Sequence, residues 1–358
     1  MEQTEEQLEP GQPTTLSRSS KSIEDVLPDR IRVFGKRNGL KAHIEYVAMR
    51  VTVQSLARLP YKLRGRIIGS LAWIASRVMK KRVGHAREFL KQAYGPELDH
   101  ARRDELVRRA FSNLCHVIID DVARQQRFDP KTLLNRVTIE GDPEAVAAFR
   151  KGGPGVIMNL HMGDWEMLAQ VVASCGYGPF YAVGKPTKNR PVSTWIQRQR
   201  EKGGVFMIAR NGAVESAQRA ISKGGSLGLV LDHRATSRPV LAPFFGRLAL
   251  SERSASIMLK RFRIPAYLLV CLRTDEPYRY RVVLETVITP AESRRMKPLE
   301  FLTLLNSHFE RMILRWPDQY FWLHDRYRAA EKTQVREAEG NVKRVRVKKP
   351  PTPEANTG

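Results

Sequence analysis

Only three cysteines occur in 358 residues, Cys115, Cys175 and Cys271, far apart and without a CxxC pair. That excludes a disulfide framework and a cysteine-rich zinc site, and it fits a reducing compartment. No stretch of about 20 strongly apolar residues occurs either. The longest uncharged run, Met167 to Gly184, is broken by Gln170, Ser174, Gly176, Gly178 and Pro179, so no conventional transmembrane span is expected. The first residues carry Glu2, Glu5, Glu6 and Glu9 and no apolar run, which predicts no secretory signal peptide. Acid is short relative to base: Asp+Glu 37 against Lys+Arg 61 leaves a net charge of +24, so the expected partner is anionic. Nucleic acid is one such partner, but there is no zinc spacing, no RNP-like aromatic block and no basic stretch interleaved with stacking aromatics outside the last motif. No nucleic-acid partner is therefore expected. One GxSxG match occurs, Gly224 to Gly228, but it leads into the apolar run LGLVL and does not turn from a strand into a helix, so it is no nucleophile elbow and offers no obvious carrier for an acyl-enzyme intermediate.

What is present is a globular composition, 42% hydrophobic and 27% charged. Residues 1–38 read as a polar, acidic tail, and residues 331–358 as a basic one. Residues 39–135 read as a basic amphipathic helical region that associates with membranes. Between Lys41 and Lys91, twelve Lys or Arg face two Glu. Ile44, Val47, Ala48 and Val51 repeat at helical spacing until Pro60, and Leu63, Ile67, Leu71, Ile74 and Val78 repeat it again. Such helices either pack on a core with a solvated basic face or lie on anionic lipid, where each Lys or Arg contributes about 1 kcal/mol. Charge and motif context favour the lipid. Residues 104–126 predict a further helix.

After Asn135 the texture changes. TIEG, GVIMNL, YAVG, FMIA, LGLVL, AYLLVCL and YRVVLETVI are short apolar runs bounded by Gly and Pro. Helical patterns at 164–174, 191–202, 213–222, 252–262 and 290–315 separate several of them. The alternation predicts an α/β fold, a mixed sheet flanked by helices, over residues 136–330.

The stretch GGPGVIMNLHMGDWEMLAQ carries the chemistry. His161 follows a strand, Gly163 permits a sharp turn, and Glu166 falls in the first helical turn. Folded back, Glu166 would fix the imidazole tautomer and leave the other ring nitrogen to take a proton from a hydroxyl. The same His-x4-acid spacing recurs at His100/Glu105 and His116/Asp121. Five residues along one helix leave two side chains about 140° apart, so those two pairs read as filler. Lys185, Lys188, Arg190, Arg198, Arg200 and Arg210 place cations where lipid phosphates can be held, although an exposed basic face gives the same pattern. PFFGR, Pro243 to Arg247, puts two Phe beside a turn, for packing or for an acyl chain.

In order, NLHMGDWEML, VGKPTKNRPV, RQREKGG, IARNGA, LGLVLDHRA, LAPFFGRLAL and RWPDQYFWLHDRYR resemble the lipid A late acyltransferases, the lauroyl and myristoyl transferases of the glycerolipid acyltransferase superfamily. The resemblance covers residues 40–330. It implies that His161 is the catalytic base, that Glu166 orients it, and that Asp232 has a supporting role in the site. It implies a thioester donor, an acidic acyl carrier protein or acyl-CoA, and a glycolipid hydroxyl as acceptor at the cytoplasmic face of the inner membrane, with no metal or organic cofactor. Arg50 and Arg58 interrupt the first helix where many relatives carry a spanning segment, so peripheral or monotopic attachment to anionic lipid is expected. No FPEGTR-type block is present, which places a lysophospholipid acceptor behind a glycolipid. Phosphatidylinositol mannoside acyltransferases share a similar HMGxWE block and are the alternative. His324, in the last motif, reads as a packing residue.

Overall fold

A computed structural model of the chain describes residues 35–334 apart from Asn211 and Lys332. Most of the two expected tails lies outside the described residues. Among the described residues, four helices come first: α1 (Leu40–Arg58), α2 (Tyr61–Val78), α3 (Lys80–Tyr94) and α4 (His100–Gln125). Pro60 separates α1 from α2, and Asp99 caps α4 by accepting from the Arg102 backbone N–H at 2.8 Å. The third of these helices had no separate counterpart in the sequence reading.

A seven-stranded sheet follows, built from β1 (Val137–Gly141), β2 (Val156–Asn159), β3 (Phe180–Gly184), β4 (Val205–Ala209), β5 (Ser226–Val230), β8 (Ala266–Arg273) and β9 (Tyr280–Ile288). Its order is β1-β9-β8-β2-β5-β3-β4, parallel throughout except for the antiparallel β8–β9 pair. Helices α5 (Pro143–Arg150), α6 (Trp165–Val172), α7 (Arg190–Lys202), α8 (Ala213–Ser222) and α9 (Arg253–Phe262) alternate with the strands. The mixed α/β sheet flanked by helices is the fold class expected. Strand β8 is buried along Ala266–Leu272, which is why AYLLVCL reads as an uninterrupted apolar run rather than an alternating one.

Two elements differ from expectation. The segment 290–315 is two helices, α10 (Pro290–Arg295) and α11 (Pro298–Arg315), because Lys297 precedes Pro298 and is held extended at φ −69°, ψ 158°. LAPFFGRLAL is a separate hairpin of β6 (Val240–Phe244) and β7 (Arg247–Ser251), turned by Phe245 and Gly246 at positive φ. Phe244 and Phe245 both pack on Phe89 of α3, with Tyr320, Trp322 and Tyr327 around the same ring. These phenylalanines are core.

The N-terminal helices pack with an unusual facing. Ala42, Val53 and Ala57 of α1 and Ile68 and Ala72 of α2 are buried, joined by Ile119, Val122 and Ala123 of α4 and by Trp195 of α7. The longer apolar side chains of the sequence pattern, Ile44, Val47, Val51, Leu63, Leu71, Ile74 and Val78, point outward. Arg64, in contrast, is completely buried. It donates to Asp120 at 3.0 Å, to the Tyr278 hydroxyl at 2.9 Å and to the Leu59 carbonyl at 3.2 Å. His116 approaches the other Asp120 oxygen at 2.8 Å. One guanidinium thus joins α1, α2 and α4 to the β8–β9 turn.

Removing one partner of a buried ion pair strands the other charge. Arg64→Ala should destabilise the fold by about 3–5 kcal/mol, whereas exposed Arg66→Ala should stay within about 0.5 kcal/mol. Urea unfolding of both variants checks this.

Candidate active site

Sheet register assembles the site. Strands β2 and β5 are parallel neighbours with Asn159 opposite Val230, and Leu231 N–H donates to the Asn159 carbonyl at 3.0 Å. Two residues further along each chain, His161 meets Asp232. The contact is double: the His161 backbone N–H donates to Asp232 Oδ2 at 3.1 Å, and His161 Nδ1 lies 2.7 Å from Oδ1. Asp232 is buried, while the His161 side chain keeps 19% of its surface open. Burial alone would raise the Asp232 carboxyl, but the adjacent His161 reverses this and holds it well below the usual carboxylate range. An ionised Asp232 makes Nδ1 the proton-bearing nitrogen and leaves Nε2 for chemistry.

Glu166, the expected partner of the imidazole, is engaged elsewhere. Arg200 of α7 grips its carboxylate in bidentate fashion, Nε to Oε2 at 2.7 Å and Nη2 to Oε1. Burial would raise Glu166, yet Arg200 holds it below its ordinary value. The hydrogen bond foreseen for Glu166 therefore belongs to Asp232, because the register of β2 against β5 delivers an aspartate to the ring. Arg200, expected to hold substrate, is committed to Glu166.

The loop from His161 to Asp164 is clamped from two sides. The His161 carbonyl accepts from Phe321 N–H at 2.9 Å, and Gly163 N–H donates to the Gln319 carbonyl at 2.9 Å, both in the last motif. Asp164 N–H donates to the Cys271 carbonyl of β8 at 2.7 Å. Gly163 sits at φ +59°, and a Cβ there would run into that same Cys271 carbonyl. The glycine is needed for this close approach to β8. Asp164 then caps α6, accepting from Met167 N–H at 3.0 Å.

Aromatic rings enclose the imidazole. Trp165 meets it edge-on at 5.2 Å, and Phe321 lies 6.1 Å away. His233 stacks on it at 3.8 Å with 14° between planes, and His324 stacks on His233 at 4.2 Å. Burial lowers His233 to about 4 and His324 to about 3, so both are neutral at ordinary pH. Ligand atoms of His161, Asp232 and His233 lie within 4.8 Å of one another, the spacing of a metal cluster. Stacked rings, however, aim their lone pairs side by side, and a metal about 2.0 Å from both nitrogens would stand well out of each ring plane. The arrangement fits a proton-handling imidazole better.

The remaining expected cations lie at the periphery. Lys185, Lys188, Arg190 and Arg198 are exposed, and Arg210 is paired with Glu252 at 2.7 Å. The loop carrying Lys185 and Lys188, with Arg190 opening α7 just after it, is tied to the start of α1: Arg37 N–H donates to the Lys188 carbonyl, and Asn189 Nδ2 donates to the Ala42 carbonyl at 2.9 Å. The filler pairs behave as helix geometry demands. His116 bonds Asp120, four residues on, while Asp121 joins Arg124 and Gln170; Glu105 bonds Arg102 and Arg109. Sequence reasoning missed His233 and Phe321 as neighbours of His161. The available signal was the His directly after Asp232, at the end of a strand.

The profile of bacterial lipid A biosynthesis acyltransferases matches residues 38–329. The chain belongs to that family. Over 276 residues this acyltransferase is 23% identical to the lipid A biosynthesis palmitoleoyltransferase of Escherichia coli, covering 76% of its own length and 87% of the relative's. The lipid A biosynthesis acyltransferase of Shigella flexneri gives the same figures, and that of Haemophilus influenzae is 23% identical over 275 residues, 75% and 82% of the two chains.

Within this acyltransferase, Asp164 reports on the packing of the loop. Burial lifts its carboxyl from 3.8 to about 7, with Arg273 opposing the rise. Between these values the folded state holds a proton that the unfolded chain has lost, so stability falls as pH rises from about 4 to about 7 and levels off above. Asp164→Asn keeps a capping oxygen but does not titrate. Across that window the difference in unfolding free energy should move in favour of the variant by about 2–4 kcal/mol. Urea midpoints at several pH values check it, and parallel curves would contradict the burial of this carboxyl.

Proposed function

We propose that this acyltransferase moves a fatty acyl chain from a thioester, on acyl carrier protein or coenzyme A, to a hydroxyl of a glycolipid such as a lipid A precursor, with His161 as general base. The observation that carries the reading is the short Nδ1 contact between a partly open His161 and a buried, ionised Asp232. His161 Nε2 takes the proton of the acceptor hydroxyl as its oxygen attacks the thioester carbonyl carbon. The tetrahedral adduct collapses with cleavage of the C–S bond, and the departing thiolate takes the proton back from the imidazolium. Ester and thiol result, and the histidine is regenerated. Asp232 fixes the tautomer and stabilises the imidazolium during the exchange. No step requires a metal or organic cofactor.

The outward stripes of α1 and α2 support attachment to the anionic, cytoplasmic surface of the inner membrane. Ile44, Val47 and Val51 lie on one face of α1, while Trp73, Ile74 and Val78 are exposed on α2. Lys185, Lys188 and Arg190 stand beside the start of α1, placed to meet lipid phosphates. No helix among the described residues is long and apolar enough to cross a membrane, so the proposed attachment is interfacial. The net charge of +24 favours an acidic carrier protein as donor.

His161→Ala and Asp232→Asn should each retain the fold by circular dichroism and lower acyl transfer by roughly 10²- to 10⁴-fold. Unchanged turnover in both would refute the assignment. For the membrane, Val47→Asp combined with Val51→Asp should weaken co-sedimentation with phosphatidylglycerol vesicles at least about tenfold, and added salt should weaken the binding of the unsubstituted chain. Equal binding of the two forms would remove α1 from the docking face.

A further inference from the structure

General-base chemistry at His161 leaves two neighbouring imidazoles without a task. They form a column with His233 between His161 and His324, all within stacking distance. The column is anchored at both ends. His161 is held by Asp232, and His324 Nε2 accepts from the Arg234 backbone N–H at 2.9 Å. A nitrogen that accepts a hydrogen bond carries no proton, so His324 is a neutral ring protonated at Nδ1. His233 Nε2 is buried with no partner among the described residues. A charged His233 would carry an unpaired N–H there, at the desolvation cost of a buried donor. Geometry therefore makes both supporting rings neutral.

We propose that His233 is a positioning residue for His161: its neutral face, backed by His324, holds the imidazole in the plane that aims Nε2 at the acceptor hydroxyl. This rests on the reading of His161 as the base. The Cβ–Cγ bond and the hydrogen bond to Asp232 hold two points of the ring but only weakly oppose a small rotation about Cβ–Cγ, which tips both ring nitrogens out of plane. A parallel ring at 3.8 Å blocks that rotation on one face, and the Trp165 edge stands at 5.2 Å as a second restraint. When His161 takes the proton, the new cation lies over an uncharged π face, a favourable contact. A neutral neighbour does not compete for the proton.

The test is a double-substitution cycle with purified full-length protein, a thioester donor and lipid A precursor in detergent micelles. His233→Ala should lower kcat by roughly 3- to 10-fold, the scale of one lost ring contact, with KM unchanged. His233→Leu fills the volume without a planar face and should show the same loss; it decides the matter if the alanine variant melts early. His233→Phe restores a face and should recover most of the rate. In a His161→Ala background, His233→Ala should cost nothing further. A full additional loss in that background, or no loss on the unsubstituted background, overturns the positioning role while leaving the base in place. Phe no better than Leu overturns it as well. Full activity of His161→Ala alone overturns the base reading and the positioning role with it.

Discussion

The hydrogen bond between His161 and Asp232 is the constraint around which the site is arranged, and it is set by strand register rather than by local sequence. Two parallel strands in the middle of the sheet end level with one another, and the residue two places beyond each end faces its counterpart. A slip of one residue would turn one of the two side chains to the opposite face. Everything packed against β2 and β5 therefore serves the imidazole indirectly, including the buried faces of α6 and β8. Placement at the carboxyl ends of parallel strands is the usual location for chemistry in α/β sheets, and here the core enforces it.

Around that bond the protein keeps a second carboxylate occupied. Glu166 is locked to Arg200 by a two-point contact, so the acid five residues after the histidine is charge-compensated by a cation and not by the imidazole. The pair also joins the start of α6 to α7 beside the site. A bidentate guanidinium contact is more rigid than a single ammonium contact, so Arg200 orders this edge as well as neutralising it.

Much of the architecture was legible from residue patterns. Each strand-like run after Asn135 became a strand because short apolar segments bounded by Gly and Pro have few other ways to bury themselves. His161 stood out because it follows such a run. What was not legible depends on pairing between distant segments. Nothing in LGLVLDHRA says that its strand lies beside GVIMNL, so Asp232 could be placed only in a supporting role and Glu166, closer in sequence, took the partnership. The facing of α1 and α2 failed to read for a related reason. Periodicity reveals that a stripe exists but not which stripe the neighbours cover, and here α4 covers the side with small residues and Arg64.

The last motif has a consequence for the order in which the molecule becomes competent. Phe321 and Gln319 clamp the loop of His161 and Gly163 through backbone bonds, and the rings of Tyr320 and Trp322 close the cluster around Phe89. During synthesis the basic helices leave the ribosome early, whereas this clamp emerges only after the whole sheet has been made. A nascent chain thus presents its basic helices well before the loop of His161 can be clamped, so the contact between His161 and Asp232 is among the last features of the fold to be secured.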